Sequence, residues 1–175
     1  MNEEKIETGM DSTKVDQAIA KMNRFFSARE RSSGEVIEYL QRKGTLSKEE
    51  IVFVTDRLKF DNLIDDVRFS KNRLHYRSEN GYGPLYIRNE LAGFKISEGV
   101  VREILEGCDP EVYIEAAVIF LEKKLPRYMR EENSREKLQR LLLSRGYVFA
   151  QIEEAMRRLA EKFPHWGSVN VRRNS

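Results

Sequence analysis

A spacing of 51 residues recurs through this chain, and it constrains the fold more than any single motif does. Gly44, Lys95 and Gly146 stand at that interval. Eight residues before them lie Val36, Ile87 and Leu138, and four before them lie Leu40, Leu91 and Leu142. Positions four apart share one face of a helix. Twelve before them lie Ser32, Gly83 and Ser134, all residue types that cap a helix or turn a chain. Downstream, Val101, Ile104 and Cys108 match Ile152, Ala155 and Leu159, and Ile51, Val54 and Leu58 match once one inserted residue is allowed. Independent helices would not keep both apolar phase and caps over such a period. The pattern predicts an all-α fold of three tandem three-helix, helix-turn-helix-like repeats at 14–60, 61–109 and 110–163. Neighbours would cover each other's apolar edges in an elongated, curved body, with tails at 1–13 and 164–175.

Local signals supply the helix ends. Val15, Ala18, Ile19, Met22, Phe25 and Phe26 define a first amphipathic helix running to about Arg31. Ser32 with Glu35, and Ser47 with Glu50, form capping boxes for the next two. Gly44 suits a left-handed helix stop. Lys95 in the same phase would cost about 1 kcal/mol there, so its helix is expected to end sooner, near Gly93. Ile114, Ala117, Val118, Leu121 and Leu125 make another apolar face, which Pro126 should stop or kink. Arg127 to Asn133 then read as a charged connection to a helix from Ser134. The segment after Leu159 has little helical pattern, leaving Trp166 either docked or exposed.

Composition narrows the class. With 40% hydrophobic and 34% charged residues, four Pro and ten Gly, the chain suits helices with broad solvated faces. The longest apolar run, Ala116 to Leu121, is far short of the ~20 residues a membrane span needs. The start of the chain lacks an apolar signal region, and its one cysteine, Cys108, excludes an internal disulfide, so a cytoplasmic location is expected. Cys108 falls on an apolar repeat position, where burial is the default. His75 and His165 have no metal-ligand partners at useful spacing, and no metal or cofactor is expected. Asp65 and Asp66 sit at a helix start and read as caps rather than as an acid–base pair. Gly81 and Gly83 lack the strand and the Gly-Lys-Ser/Thr of a phosphate loop. Nothing in the sequence argues for an enzyme.

Charge, by contrast, is unevenly placed. The formal net charge is +2, yet residues 67–91 carry five Lys and Arg against two Glu, and 123–146 carry eight against three. A basic middle and late region beside an acidic remainder points to a polyanion or an acidic protein surface as partner.

The stretch Asp65 to Leu91 gathers most of these signals. Ile64, Asp65 and Phe69 fit a hydrophobic staple around an N-cap, and Pro84 suits the first position of the following helix. Between them Arg68, Lys71, Arg73 and Arg77 alternate with Phe69, Leu74 and Tyr76. Asp66, Arg68, Phe69, Ser70, Arg77, Gly81, Gly83, Pro84, Ile87, Glu90 and Leu91 follow a D-x-R-F-[AS], then G-x-G-P-x-x-I-x-x-E-L pattern. The chain thereby resembles the RecX regulatory proteins, modulators of the RecA recombinase, over about residues 15 to 159. The resemblance implies a non-enzymatic regulator, with no cofactor, that binds the RecA–DNA filament along its groove. It would inhibit RecA's recombinase, ATPase and coprotease activities in DNA repair and the SOS response.

RecA filament protein and DNA phosphate are therefore the expected partners, with single- or double-stranded DNA bound weakly or non-specifically in RecA's absence, no membrane, and a monomeric chain. Candidate contact residues are Arg68, Lys71, Arg73, Arg77, Arg88, Lys123, Lys124, Arg127 and Arg140. A second reading is a stand-alone helix-turn-helix-like nucleic-acid-binding protein. Against it, Ser97 to Leu105 carries Arg102 as its only cation, whereas a DNA-reading helix concentrates Arg, Lys, Asn or Gln.

Overall fold

The computed structural model describes residues 12–129, 131 and 133–169. Ten helices and no strand occur among them: α1 Ser12–Phe26, α2 Ser33–Lys43, α3 Lys48–Phe60, α4 Asp66–Glu79, α5 Pro84–Gly93, α6 Glu98–Glu106, α7 Pro110–Tyr128, α8 Ser134–Ser144, α9 Phe149–Lys162 and α10 Pro164–Val169. Of the expected N-terminal tail, residues 1–11 lie outside the described residues, while Ser12 and Thr13 already belong to α1.

The expected caps at Ser32, Ser47 and Asp65 operate, and that at Ser134 does not. The Ser32 hydroxyl accepts from the Glu35 N–H while the Glu35 carboxylate accepts from the Ser32 N–H, both at 3.2 Å. Ser47 and Glu50 do the same at 3.2 and 2.7 Å. Asp65 caps α4 by accepting from the Arg68 N–H at 2.9 Å, with Ile64 and Phe69 both buried beside it. Ser134, however, is the first helical residue of α8 and not its cap. Asn133 precedes it in the left-handed region at φ 54°, and the Ser134 hydroxyl accepts from the Trp166 indole N–H at 3.0 Å.

Other boundaries shift for local reasons. α1 stops at Phe26 rather than near Arg31, because Arg31 turns back to donate to the Phe25 carbonyl and Ser27 donates to that of Arg24. α7 runs two residues past Pro126, whose missing N–H costs the helix the one bond it would give to the Glu122 carbonyl. The segment after Lys162 forms α10, on which Trp166 is buried. Cys108 is only half-buried.

The chain packs as two compact units. The first is the described part of Met1–Phe69 with Phe94–Ile96, and the second is Ser70–Gly93 with Ser97–Ser175. In the first, α1 and α2 lie against α3, and Val15, Met22, Val36, Leu40, Ile51, Val54, Leu58 and Ile64 form its core. In the second, α7 packs along α9, with α8 against both. Ile87, Leu91, Leu121, Leu125, Leu138, Leu142, Ile152 and Leu159 are almost fully buried there, as the apolar phase requires.

The period of 51 reappears in the hydrogen bonding. In the first unit the Ser32 hydroxyl donates to the Phe94 carbonyl at 2.7 Å, spanning 62 residues. In the second, the Gly83 N–H donates to the Arg145 carbonyl at 2.8 Å. Both donors and both acceptors are 51 apart, so in each unit one such bond joins a helix start to a turn in the same phase. All three phase positions adopt the left-handed region, Gly44 at φ 65°, Lys95 at 60° and Gly146 at 79°. α5 does end at Gly93 as expected, yet Lys95 takes the disfavoured conformation all the same.

Close approach explains two glycines at these ties. A Cβ on Gly34 would fall 2.2 Å from the Lys95 Cβ, and one on Gly83 would fall 2.5 Å from the Gly146 carbonyl oxygen. Gly34→Ala and Gly83→Ala are each expected to cost about 1–3 kcal/mol. Leu91→Ala and Leu142→Ala should cost about 2–5 kcal/mol each in urea denaturation. Lys95→Gly should move the other way, gaining up to ~1 kcal/mol by removing left-handed strain.

Candidate partner-binding surface

The nine candidate cations divide by what holds them. Arg77 is the most constrained. It stands in the last turn of α4, and its Nε and Nη2 donate to the two carboxylate oxygens of Glu90 on α5 at 2.7 and 2.6 Å. This two-pronged pairing with Glu90 raises the guanidinium pKa above its ordinary value, against the part burial that would lower it. Tyr76, Tyr82 and Tyr86 surround the same guanidinium with ring centroids at 5.3–5.6 Å. Arg73, one turn earlier, reaches the same carboxylate at 3.7 Å. Both arginines thus brace α5 against α4.

Two more candidates are engaged at the surface. Arg68 pairs with Glu30 at 2.6 Å within the first unit, and Arg88 pairs with Glu98 in the second. Exposed pairs of this kind contribute little stability and can exchange partners. The motif around Asp66 likewise has a structural content: Asp66 accepts from both the N–H and the hydroxyl of Ser33, at the start of α2. Phe69 packs edge-on to Phe94 with centroids 5.1 Å apart, and Ser70 is fully buried.

The remaining candidates are exposed. Lys71 projects from α4, and Lys123, Lys124 and Arg127 from the last turns of α7. Lys123 and Arg127 are four apart and so share a side of the helix. The structure brings Arg127 of α7 and Arg140 of α8 to one shallow depression, which Lys137, absent from the sequence-based set, also lines. Among the described residues Glu131 is the one carboxylate lining it, and it accepts from Lys137 at 2.9 Å. This cluster, within the second unit, is a concentration of positive charge over exposed backbone turns, suited to phosphate or carboxylate groups.

Sequence reasoning also passed over Arg145. Its guanidinium lies between the rings of Tyr82 and Phe120, at 4.3 Å from each centroid, and donates to the Asn80 carbonyl at 2.8 Å. Its position one residue before the left-handed Gly146, in phase with Phe94, was the available signal. Among the described residues no group of three or more His, Cys, Asp or Glu side chains could hold a metal ion. No described helix is long and apolar enough to cross a membrane.

No family model matches the chain. Among curated proteins it is 32% identical over 146 residues to the regulatory protein RecX of Chromohalobacter salexigens, covering 83% of this chain and 92% of that one. It is 35% identical over 124 residues to the RecX of Haemophilus influenzae, covering 69% and 80%. Among solved structures it superposes on the RecX crystal structure from Lactobacillus salivarius with a TM-score of 0.77, at 19% identity, over 86% of this chain and 99% of that one. That likeness speaks to the fold.

If Arg77 and Glu90 are a brace, Arg77→Ala should cost about 1–3 kcal/mol in chemical denaturation, the range for losing charged hydrogen bonds in a partly buried setting. Lys71→Ala, on an exposed face, should change stability by less than ~0.5 kcal/mol.

Proposed function

Because this chain belongs to the RecX family of regulatory proteins, we propose that it regulates by binding the RecA–DNA filament and restraining RecA's ATP hydrolysis, strand-exchange and coprotease activities. It does so in the cytoplasm as a binding protein, without chemistry of its own. The identity with regulatory RecX proteins over most of both chains is the observation that carries this reading.

The distribution of charge supports it and assigns roles. Lys123, Lys124, Arg127 and Arg140, with Lys137, supply the contact to filament phosphates or acidic protein groups, and Lys71 adds to it from α4. Arg73 and Arg77 act indirectly, by holding α5 in place through Glu90. Arg68 and Arg88 join the contact only by giving up Glu30 and Glu98.

Steady-state ATP hydrolysis by RecA on single-stranded DNA, with and without this protein, tests the regulator. Turnover should fall at equimolar or lower protein, and the protein alone should hydrolyse no ATP. Unchanged RecA turnover at saturation, together with tight sequence-specific binding to duplex DNA, would transfer the assignment to the stand-alone DNA reader. Arg127→Ala with Arg140→Ala should weaken filament binding and leave the melting temperature in place. If both touch phosphate, the slope of log affinity against log salt should shrink by about one unit per residue.

A further inference from the structure

A groove of about 1120 Å³ lies between α1 and α2, well away in sequence from the cations of α7 and α8. Its walls are mostly apolar, formed by Ala18, Phe25, Tyr39 and Leu40. Among the described residues, every charged side chain lining it is a cation: Lys14, Lys21 and Arg24 from α1, and Lys43 from α2. None of Lys21, Arg24 and Lys43 enters an ion pair among the described residues, whereas nine of the fifteen other arginines described are paired. Lys14, Lys21 and Arg24 recur at intervals that keep them on one side of α1. They mark a stripe along the groove of ~16 Å, or three helical turns.

An apolar trough whose described rim is cationic calls for an occupant with an apolar face and acidic flanks. The volume exceeds the roughly 300–1,000 Å³ of small-molecule clefts. The ring geometry argues against single-stranded nucleic acid, which needs open aromatic faces on which to stack bases. Phe25 is covered on one side by Tyr39, stacked at 4.4 Å, and by the Arg31 guanidinium at 4.3 Å. Tyr39 carries Phe25 on one face and the Lys43 ammonium 5.4 Å from its centroid. The rings therefore serve as walls. Two helices flanking a trough three turns long, with the small side chains of Ala18 and Ala20 allowing close approach, match helix-in-groove recognition.

We propose that the α1–α2 groove is a docking site for an acidic amphipathic helix of a partner protein. Leucine-like side chains at one-turn spacing would fill the trough, and Glu or Asp on either side would meet Lys21, Arg24 and Lys43. The proposal stands on the first unit alone and is independent of the filament-binding reading.

Fluorescence polarisation with the full chain tests it. The probe is a labelled helical peptide of about 14 residues, with Leu at i, i+4, i+7 and i+11 and Glu on the flanks, at ~0.15 M salt. Saturable binding is expected. K21E/R24E, both at exposed sites, should weaken it roughly tenfold or more with an unchanged melting curve, and K43E should act in the same direction. The counterpart peptide with Lys for Glu should fail on the natural chain and bind K21E/R24E. Equal affinity for the natural chain and K21E/R24E, or no saturation at all, would overturn the proposal. So would binding of a single-stranded oligonucleotide or phosphatidylglycerol vesicles through Lys21 and Arg24 when the peptide does not bind.

Discussion

One hydrogen bond, made twice, orders this structure: from the start of a middle helix to the carbonyl in the turn that ends the next middle helix. Ser32 makes it with a hydroxyl and Gly83 with a backbone N–H. The chemistry of the donor differs while its place in the period does not. A helix start leaves N–H groups unpaired, and a helix end leaves carbonyls unpaired. Within the second unit Gly83 joins an end of each kind with its own N–H; within the first, Glu35 already holds the Ser32 N–H and the hydroxyl supplies the donor. Apolar burial accompanies this bond in each unit, at Val36 and Leu40 in the first and at Ile87 and Leu91 in the second.

The same ties account for a pair of residues that look exchanged. Where the turn carries a side chain at the left-handed position, Lys95, the facing helix start has Gly34 and yields the space. Where the facing helix start carries Leu85 and Tyr86, the turn has Gly146, whose missing Cβ lets it approach the Tyr86 N–H. There is room for a Cβ on one side only. Lys95 is thus strained in its dihedral angle but not in its packing, and the strain is localised at one residue.

Much of this was legible in the residues. Caps at Ser32, Ser47 and Asp65, the apolar phase at Leu40, Leu91 and Leu142, and the all-α repeat follow from short-range rules that act within one or two turns. The early end of α5 at Gly93 was legible, but the left-handed Lys95 beyond it was not, because the cost of such a residue is local while the space and hydrogen bonds that offset it come from residues about sixty positions away. Ser134 was read as a cap for the same reason, since its actual partner, Trp166, lies 32 residues on. The candidate cations were readable as charge but not as roles. Spacing cannot distinguish Arg77, locked to Glu90, from Lys123, which is exposed, because the deciding carboxylate sits on another helix. The groove between α1 and α2 was invisible altogether, being a property of two helices together.

Trp166 has a further consequence. It is the chain's one tryptophan, buried in the second unit with its indole N–H committed to the Ser134 hydroxyl. Selective excitation of its emission therefore reports on the α8 start and α10, and is blind to the core around Met22 and Val54. Helical circular dichroism senses both units at once. Two spectroscopic probes applied to a single sample thus view different portions of the molecule. Their coincidence or separation along a denaturant axis measures how cooperatively the two units unfold.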